Sequence, residues 1–357
     1  MKKLLVLFIL FWGIQINVNA QLYNPPGIQW QKSYWPYEDE CYNFDDVYFN
    51  SASETNEDWF YKSCVSYNGS TFDGFVCAGY SSSHRIREND ACRESSNDST
   101  RNVGWRAKVA KIDPNGKEVW YKDYGELFSE LYSIIQGSDG YYYAVGRSHD
   151  FGSSIIYNKG ANQKNITGKF LLEEPRRSMR HVYVIKLNTN GDLIWQYIYG
   201  PYDDALYARK TRGMAYDIVE SSPLKFKVVG YSQEFNGTNT QNDFDSTSIG
   251  PDHPFIIEID TSGTLQWKAH YTSIKGRAFA IDKREYSSMG STVREFAIAG
   301  IIQHTTDSVR YDGMIFKINS SSNPSVQNLT SVISDSTKSS VAYDVLFRPN
   351  GDIMLIL

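Results

Sequence analysis

The sequence predicts an all-β fold: a β-propeller of four-stranded antiparallel blades, with four full blades plus a partial fifth. A stretch that returns along the chain is the first reason. Lys111–Gly125 reads Lys-Ile-Asp-Pro-Asn-Gly-Lys-Glu-Val-Trp-Tyr-Lys-Asp-Tyr-Gly, and Lys186–Gly200 reads Lys-Leu-Asn-Thr-Asn-Gly-Asp-Leu-Ile-Trp-Gln-Tyr-Ile-Tyr-Gly. Glu258–Tyr271 repeats it as Glu-Ile-Asp-Thr-Ser-Gly-Thr-Leu-Gln-Trp-Lys-Ala-His-Tyr. Each copy is a β-run, a turn opened by Asp or Asn and closed by Gly, and a second run carrying Trp-x-x-x-Tyr. Composition is the second reason: aromatic residues make up 15% of the chain, strand formers and Gly abound, and long Ala/Leu/Glu/Lys windows are missing. The third is that four β-runs can be read in each unit, two of them flanking a tight turn and one ending in Gly.

Taken in order, residues 1–20 read as a signal peptide. Lys2 and Lys3 form the basic region, Leu4 to Ile14 the apolar region, and Val18-Asn19-Ala20 the small-residue cleavage site before Gln21. Residues 21–357 form the repeat domain, with blades at about 28–112, 117–187, 192–259 and 264–318 and a partial one at 325–357. The Trp run opens each unit, at residues 29–35, 119–124, 193–199 and 265–271. Trp and Tyr four apart point to one side of a strand. A second run lies at 132–135, 215–219 and 278–281; in the first unit it is either 46–49 or 59–65. The third run ends in Gly, at Gly79, Gly146, Gly230 and Gly300, and the fourth spans 105–112, 182–187, 255–259 and 314–318. In the fifth unit Val326 and Thr330 replace Trp and Tyr, and the chain stops in Ile-Met-Leu-Ile-Leu. Such an end belongs inside a sheet, so the chain reads as a piece of a longer propeller or one whose last blade is incomplete.

The four cysteines, Cys41, Cys64, Cys77 and Cys92, all fall in the first quarter. In an exported chain an even count favours disulfides. Cys64 and Cys77 are nearly symmetric about Gly69-Ser70-Thr71, which favours that pair and leaves Cys41 with Cys92; reduced, buried thiols are the alternative. A net charge of −5 disfavours nucleic acid, and no later segment is long enough for a membrane span. No metal or other cofactor is expected. There is no Cys-x-x-Cys or His-Glu-x-x-His spacing, and Asn242–Thr247 lacks the spacing of a calcium loop.

Gly-x-x-x-Trp-x-x-x-Tyr-Gly, followed by a run ending in Val-Gly, resembles the blade repeats of exported β-propeller proteins of Bacteroidota. The likeness covers roughly residues 28–357, and the Asn-Ala-Gln cleavage junction fits the same group. It implies a secreted or cell-surface protein. Members often carry a C-terminal sorting domain, which is not seen in this sequence, and no lipoprotein cysteine follows Ala20.

Long insertions follow the third run, at 81–104, 148–180 and 232–254, and the Trp run, at 36–45 and 201–213, placing them on one face of the blades. A long loop at 282–294 is the exception, on the other face. Binding sites favour loops on a rigid scaffold. Two loops of that face carry Tyr37, Glu38 and Asp39, and Tyr202, Asp203 and Asp204, at matching places. Tyr beside carboxylates suits carbohydrate; the plainer reading is that the acids cap turns and the tyrosines pack the loop base. No nucleophile–base pair or Gly-x-Ser-x-Gly elbow is present, so no catalytic residue is assigned. The sequence thus favours a monomeric scaffold that binds a glycan or an extracellular protein. A polysaccharide hydrolase or lyase using acids of the same face, or a structural spacer of a larger surface protein, are the alternatives. The repeated Trp and Tyr are read as core.

Overall fold

The computed structural model describes residues 58–81, 106–125, 129–149, 163–165, 180–199, 212–235, 249–304, 310–320, 325–332 and 339–357. These residues are all β, in a series of antiparallel sheets. The first sheet is β1 (Asp58–Asn68), β2 (Thr71–Ser81), β3 (Arg106–Ile112) and β4 (Glu118–Tyr124), side by side in chain order. The second is β5 (Glu130–Gln136), β6 (Tyr142–His149), β8 (Arg180–Leu187) and β9 (Leu193–Tyr199), with β7 (Gln163–Asn165) on the outer edge of β9. β10 (Arg212–Ser222), β11 (Lys225–Phe235), β12 (Ile249–Asp260) and β13 (Leu265–His270) form the third. The fourth is β14 (Gly276–Ser288), β15 (Ser291–Gln303), β16 (Tyr311–Asn319) and β17 (Gln327–Val332), and β18 (Asp344–Phe347) pairs with β19 (Ile353–Ile356) in a fifth. No helix among the described residues is long and apolar enough to cross a membrane.

The sheets are phased one strand later than the sequence units. The Trp run is not the first strand of its own unit but the outer strand of the sheet before it. The Asx–Gly turn is short enough to close a hairpin, so the strands on either side of it stay in one sheet. Asp113 Oδ1 accepts the N–H groups of Asn115 and Lys117, at 2.8 and 2.7 Å, and Asn188 and Asp260 do the same in the next two sheets. In the first sheet the second run is the 59–65 alternative, inside β1. Residues 282–294 are not a loop but paired strand, β14 and β15 continuing to Ser288 opposite Ser291 around Met289 and Gly290.

Successive sheets stack face to face through four apolar layers. Val76, Ala78 and Val109 of the first meet Leu131, Tyr142 and Tyr183 of the second. Tyr143, Val145 and Val184, on the other side of the second sheet, meet Phe226, Val228 and Ile257. Val229 and Ile256 then meet Phe296, Ile298 and Phe316, and Ala297 and Ala299 meet Ala342 and Val345. Adjacent residues such as Tyr142 and Tyr143 serve opposite layers because side chains alternate along a strand.

The Trp-x-x-x-Tyr motif fastens these layers. Trp120 donates its indole N–H to Thr189 O at 3.1 Å, and Tyr124 its hydroxyl to Gly191 O at 2.6 Å. Trp195 and Tyr199 repeat this on Thr261 O and Gly263 O, at 3.0 and 2.7 Å. The first and second sheets thus each grip the tight turn of the next. Gly191 has φ +76°, and a Cβ there would lie 2.8 Å from the Trp120 ring, so the turn admits Gly on two grounds.

Cys64 and Cys77 are free thiols, which corrects the pairing expected of them. Between Tyr67 opposite Phe72 and Ser66 opposite Gly74, β2 carries one extra residue, and this sets Cys64 opposite Val76 and Cys77 opposite Ser63. Offset by one position, the two side chains leave opposite faces of the sheet. Burial pushes the Cys64 thiol up to about 12 and that of Cys77 to about 11, which suits unreactive thiols. Cys41, Cys92, the signal peptide, the Trp run at 29–35 and residues 242–247 lie outside the described residues.

Candidate functional site

The first strands of the five sheets, β1, β5, β10, β14 and β18, neighbour one another in that order. Each of the first four is interrupted near its start by a one-residue bulge, and the extra residue is aromatic: Tyr61, Tyr132, Tyr216 and Phe279. Tyr343 holds the same place before β18, donating its N–H to Ile356 O at 2.8 Å while Asp344 also faces Ile356. The five rings form a continuous arc. Centroids lie 4.9 Å apart from Tyr61 to Tyr132, 5.1 Å to Tyr216, 4.9 Å to Phe279 and 6.5 Å to Tyr343.

The bulge explains the Gly that ends each third run. Gly79, Gly146, Gly230 and Gly300 sit opposite the residue before the bulge, where the two backbones come close. A Cβ at Gly230 would stand 1.9 Å from Met214 O, and the other three meet a carbonyl oxygen in the same way. Gly and the aromatic are therefore two halves of one device that turns a ring out of the strand's regular alternation.

Polar groups behind the arc hold it. Glu130 accepts the Tyr132 hydroxyl and both Nε and Nη2 of Arg147, at 3.0 and 2.5 Å. Arg277 pairs with Asp252 and lies 4.6 Å above the Tyr231 ring, which stacks on Tyr216. Burial, with Glu130 next in effect, raises the Tyr61 and Tyr132 hydroxyls above their ordinary range. On the position after the bulge, Asp217 takes Lys62 Nζ and Ser133 Oγ on Oδ1, both at 2.6 Å, and Ile281 N on Oδ2 at 3.1 Å. Asp282 accepts Phe347 N at 2.7 Å. Asp217 and Asp282 thus each bind a backbone N–H on the next first strand. No group of three or more His, Cys, Asp or Glu among the described residues could hold a metal ion.

Chain direction places the arc. β1, β5, β10 and β14 begin where β4, β9 and β13 end and where the 81–104, 148–180 and 232–254 insertions leave β2, β6 and β11. The rings lie at the starts of these strands, hence at the loop-bearing end. The tight turns lie at the other. Tyr37, Glu38, Asp39, Tyr202, Asp203 and Asp204 are outside the described residues. Sequence reasoning passed over the arc, although its signal was present in Leu-Tyr-Ser-Ile at 131–134, Ala-Tyr-Asp-Ile at 215–218, Ala-Phe-Ala-Ile at 278–281 and Ala-Tyr-Asp-Val at 342–345.

A second cluster at this end joins Ser232, His253 and His270. Ser232 Oγ and His270 Nε2 are 2.8 Å apart, and His253 Nδ1 donates to Ile274 O at 2.7 Å. Burial, then the neighbouring His253, lowers His270 to about 4. Ser232 is itself buried, so the cluster is closed to a substrate.

No family model matches the chain, and no curated protein does. Among solved structures it is similar to a point mutant of Synechocystis apocarotenoid oxygenase, at 12% identity and a TM-score of 0.38 over 82% of this chain and 54% of that one. It is also similar to the cobalt-substituted form of Synechocystis ACO, at 12% identity and a TM-score of 0.35 over 81% and 52%. The chain spans about half the length of these structures.

Proposed function

We propose that the chain is an exported β-propeller scaffold that binds a glycan at the loop-bearing end, with the arc as its floor. The observation that carries the proposal is the recurrence of a bulged aromatic in four successive first strands, with Tyr343 at the matching place before the fifth. A bulge that repeats at one place, with a Gly kept opposite it, re-aims a side chain rather than packing a core. Tyr61 is 48% exposed and Tyr343 65%. Flat rings with polar tips suit sugars, whose apolar C–H faces lie on the ring while the hydroxyls reach surrounding acceptors. Three four-stranded antiparallel sheets and a five-stranded one in series, each stacked on the next, support the propeller reading. The basic and apolar regions before Ala20 support export.

The test is a glycan array probed with the purified chain, with Tyr61→Ala and Tyr216→Ala, and with Tyr37→Ala and Tyr202→Ala. Binding lost in the first pair and kept in the second supports the arc; the reverse moves the site to the loops. A folded chain that binds no glycan overturns the proposal and leaves a protein partner as the better reading.

A further inference from the structure

We propose that the arc takes uncharged polysaccharides and excludes acidic ones. The inference rests on the proposed glycan site and adds its charge selectivity. Recognition of uronic or sulfated sugars needs a cation able to give its hydrogen bonds to the ligand's anionic group, most often an arginine fork. Three cations among the described residues stand beside the rings, and each already holds a carboxylate of the protein. Arg147 spends two nitrogens on Glu130, and its side chain and that of Glu130 are only 11% and 5% exposed. Arg277 is held by Asp252 and flattened on Tyr231. Lys62 is held by Asp217.

Further carboxylates tip the balance. Asp282 and Asp344 lie close enough to Lys62 to act on it, beyond the carboxylate that Lys62 already binds. Asp282 is in turn close enough to Asp344 and Asp217 to feel both, and burial with this crowding raises its carboxyl above the usual range. Around the arc, therefore, Glu130, Asp217, Asp252, Asp282 and Asp344 face Lys62, Arg147 and Arg277. Among the described residues beside the rings, an acidic polymer would meet negative charge and no arginine without a carboxylate already bound, whereas a neutral one needs only ring faces and hydrogen-bond acceptors.

Calorimetric titration with mannohexaose and xylohexaose against hexagalacturonate tests this. A neutral oligosaccharide should bind with an affinity that changes less than about twofold between about 0.05 and 0.5 M salt, since no ion pair is formed with it. Hexagalacturonate should not bind. Asp252→Asn, which releases Arg277, should gain hexagalacturonate binding of at least about tenfold over the parent, weakening again in salt. Glu130→Gln is the second variant, releasing Arg147 should Asp252→Asn fail to fold. Salt-sensitive binding of hexagalacturonate by the parent chain would overturn the selectivity and leave the glycan site standing. Failure of every oligosaccharide would remove the site, and the selectivity with it.

Discussion

The molecule carries two families of repeated aromatics, and they sit in contrasting surroundings. Tyr124 and Tyr199, which hold the tight turns, are 6% and 2% exposed, each with its hydroxyl on a carbonyl of the next sheet's turn. At the loop end, Tyr61 and Tyr343 are about half exposed or more, and their ring neighbours are other aromatics, Tyr80 and Tyr132 for the first and Phe279 for the second. The residue type is the same; the backbone differs. A regular strand points Trp and Tyr into the stacked layer, whereas a bulge turns the ring away from it. Repetition of an aromatic therefore does not distinguish mortar from site. The geometry of the strand that carries it does.

That contrast predicts a graded response to mutation, steepest at the turn end. Lys227, 1% exposed, holds Glu258 and lies 4.4 Å over the Trp267 ring. Lys227→Met strands a buried carboxylate and should cost about 3–5 kcal/mol in urea unfolding. The double variant Lys227→Met/Glu258→Leu should recover most of it, because two apolar side chains leave no charge unpaired. A double variant as unstable as the single one would show that packing, not charge, sets the loss.

Next in size is a pH effect at the loop end. His270 titrates at about 4 in the folded chain, against about 6.5 unfolded. Its neutral form is favoured by folding, so the unfolded chain takes up the proton first and stability falls as pH drops from about 6.5 to about 4. The full loss is about 3 kcal/mol. His270→Gln should flatten this part of the pH profile relative to the parent; an unchanged slope would assign it to carboxylates instead. Smaller again is Tyr199→Phe, which removes the buried hydroxyl that donates to Gly263 O and should cost about 1–2 kcal/mol.

Much of the turn end is readable in the sequence. Asp113, Asn188 and Asp260 with their following Gly announce tight turns, and Trp and Tyr four apart announce a shared face. Their shortness also carries the sheet phase, since a turn that closes a hairpin cannot be the crossing between sheets. The loop end is harder to read because bulges break the period of two on which strand reading depends. Tyr132 and Tyr216 look like ordinary strand residues until each is matched with Gly146 or Gly230 across the hairpin. The extra residue of β2 has the same consequence for Cys64 and Cys77, which symmetry about the turn would pair and the register separates. The loop tyrosines Tyr37 and Tyr202 are candidates by type and place, not by geometry.

The smallest expected effect on stability is also the one that separates the two families most sharply. Tyr343→Ala removes a ring that is 65% exposed and touches Phe279 at a centroid distance of 6.5 Å. Little apolar area leaves the interior, so unfolding should shift by no more than about 0.5 kcal/mol. If the arc is a binding floor, the same change weakens glycan binding severalfold, because a ring lost from a contact surface is not replaced by its neighbours. Tyr199→Phe should do the reverse, lowering the unfolding midpoint while leaving the affinity of the folded chain unchanged. A Tyr343→Ala chain that unfolds as early as Tyr199→Phe would make the arc another layer of mortar, since only a ring that the fold does not need can be there for something else.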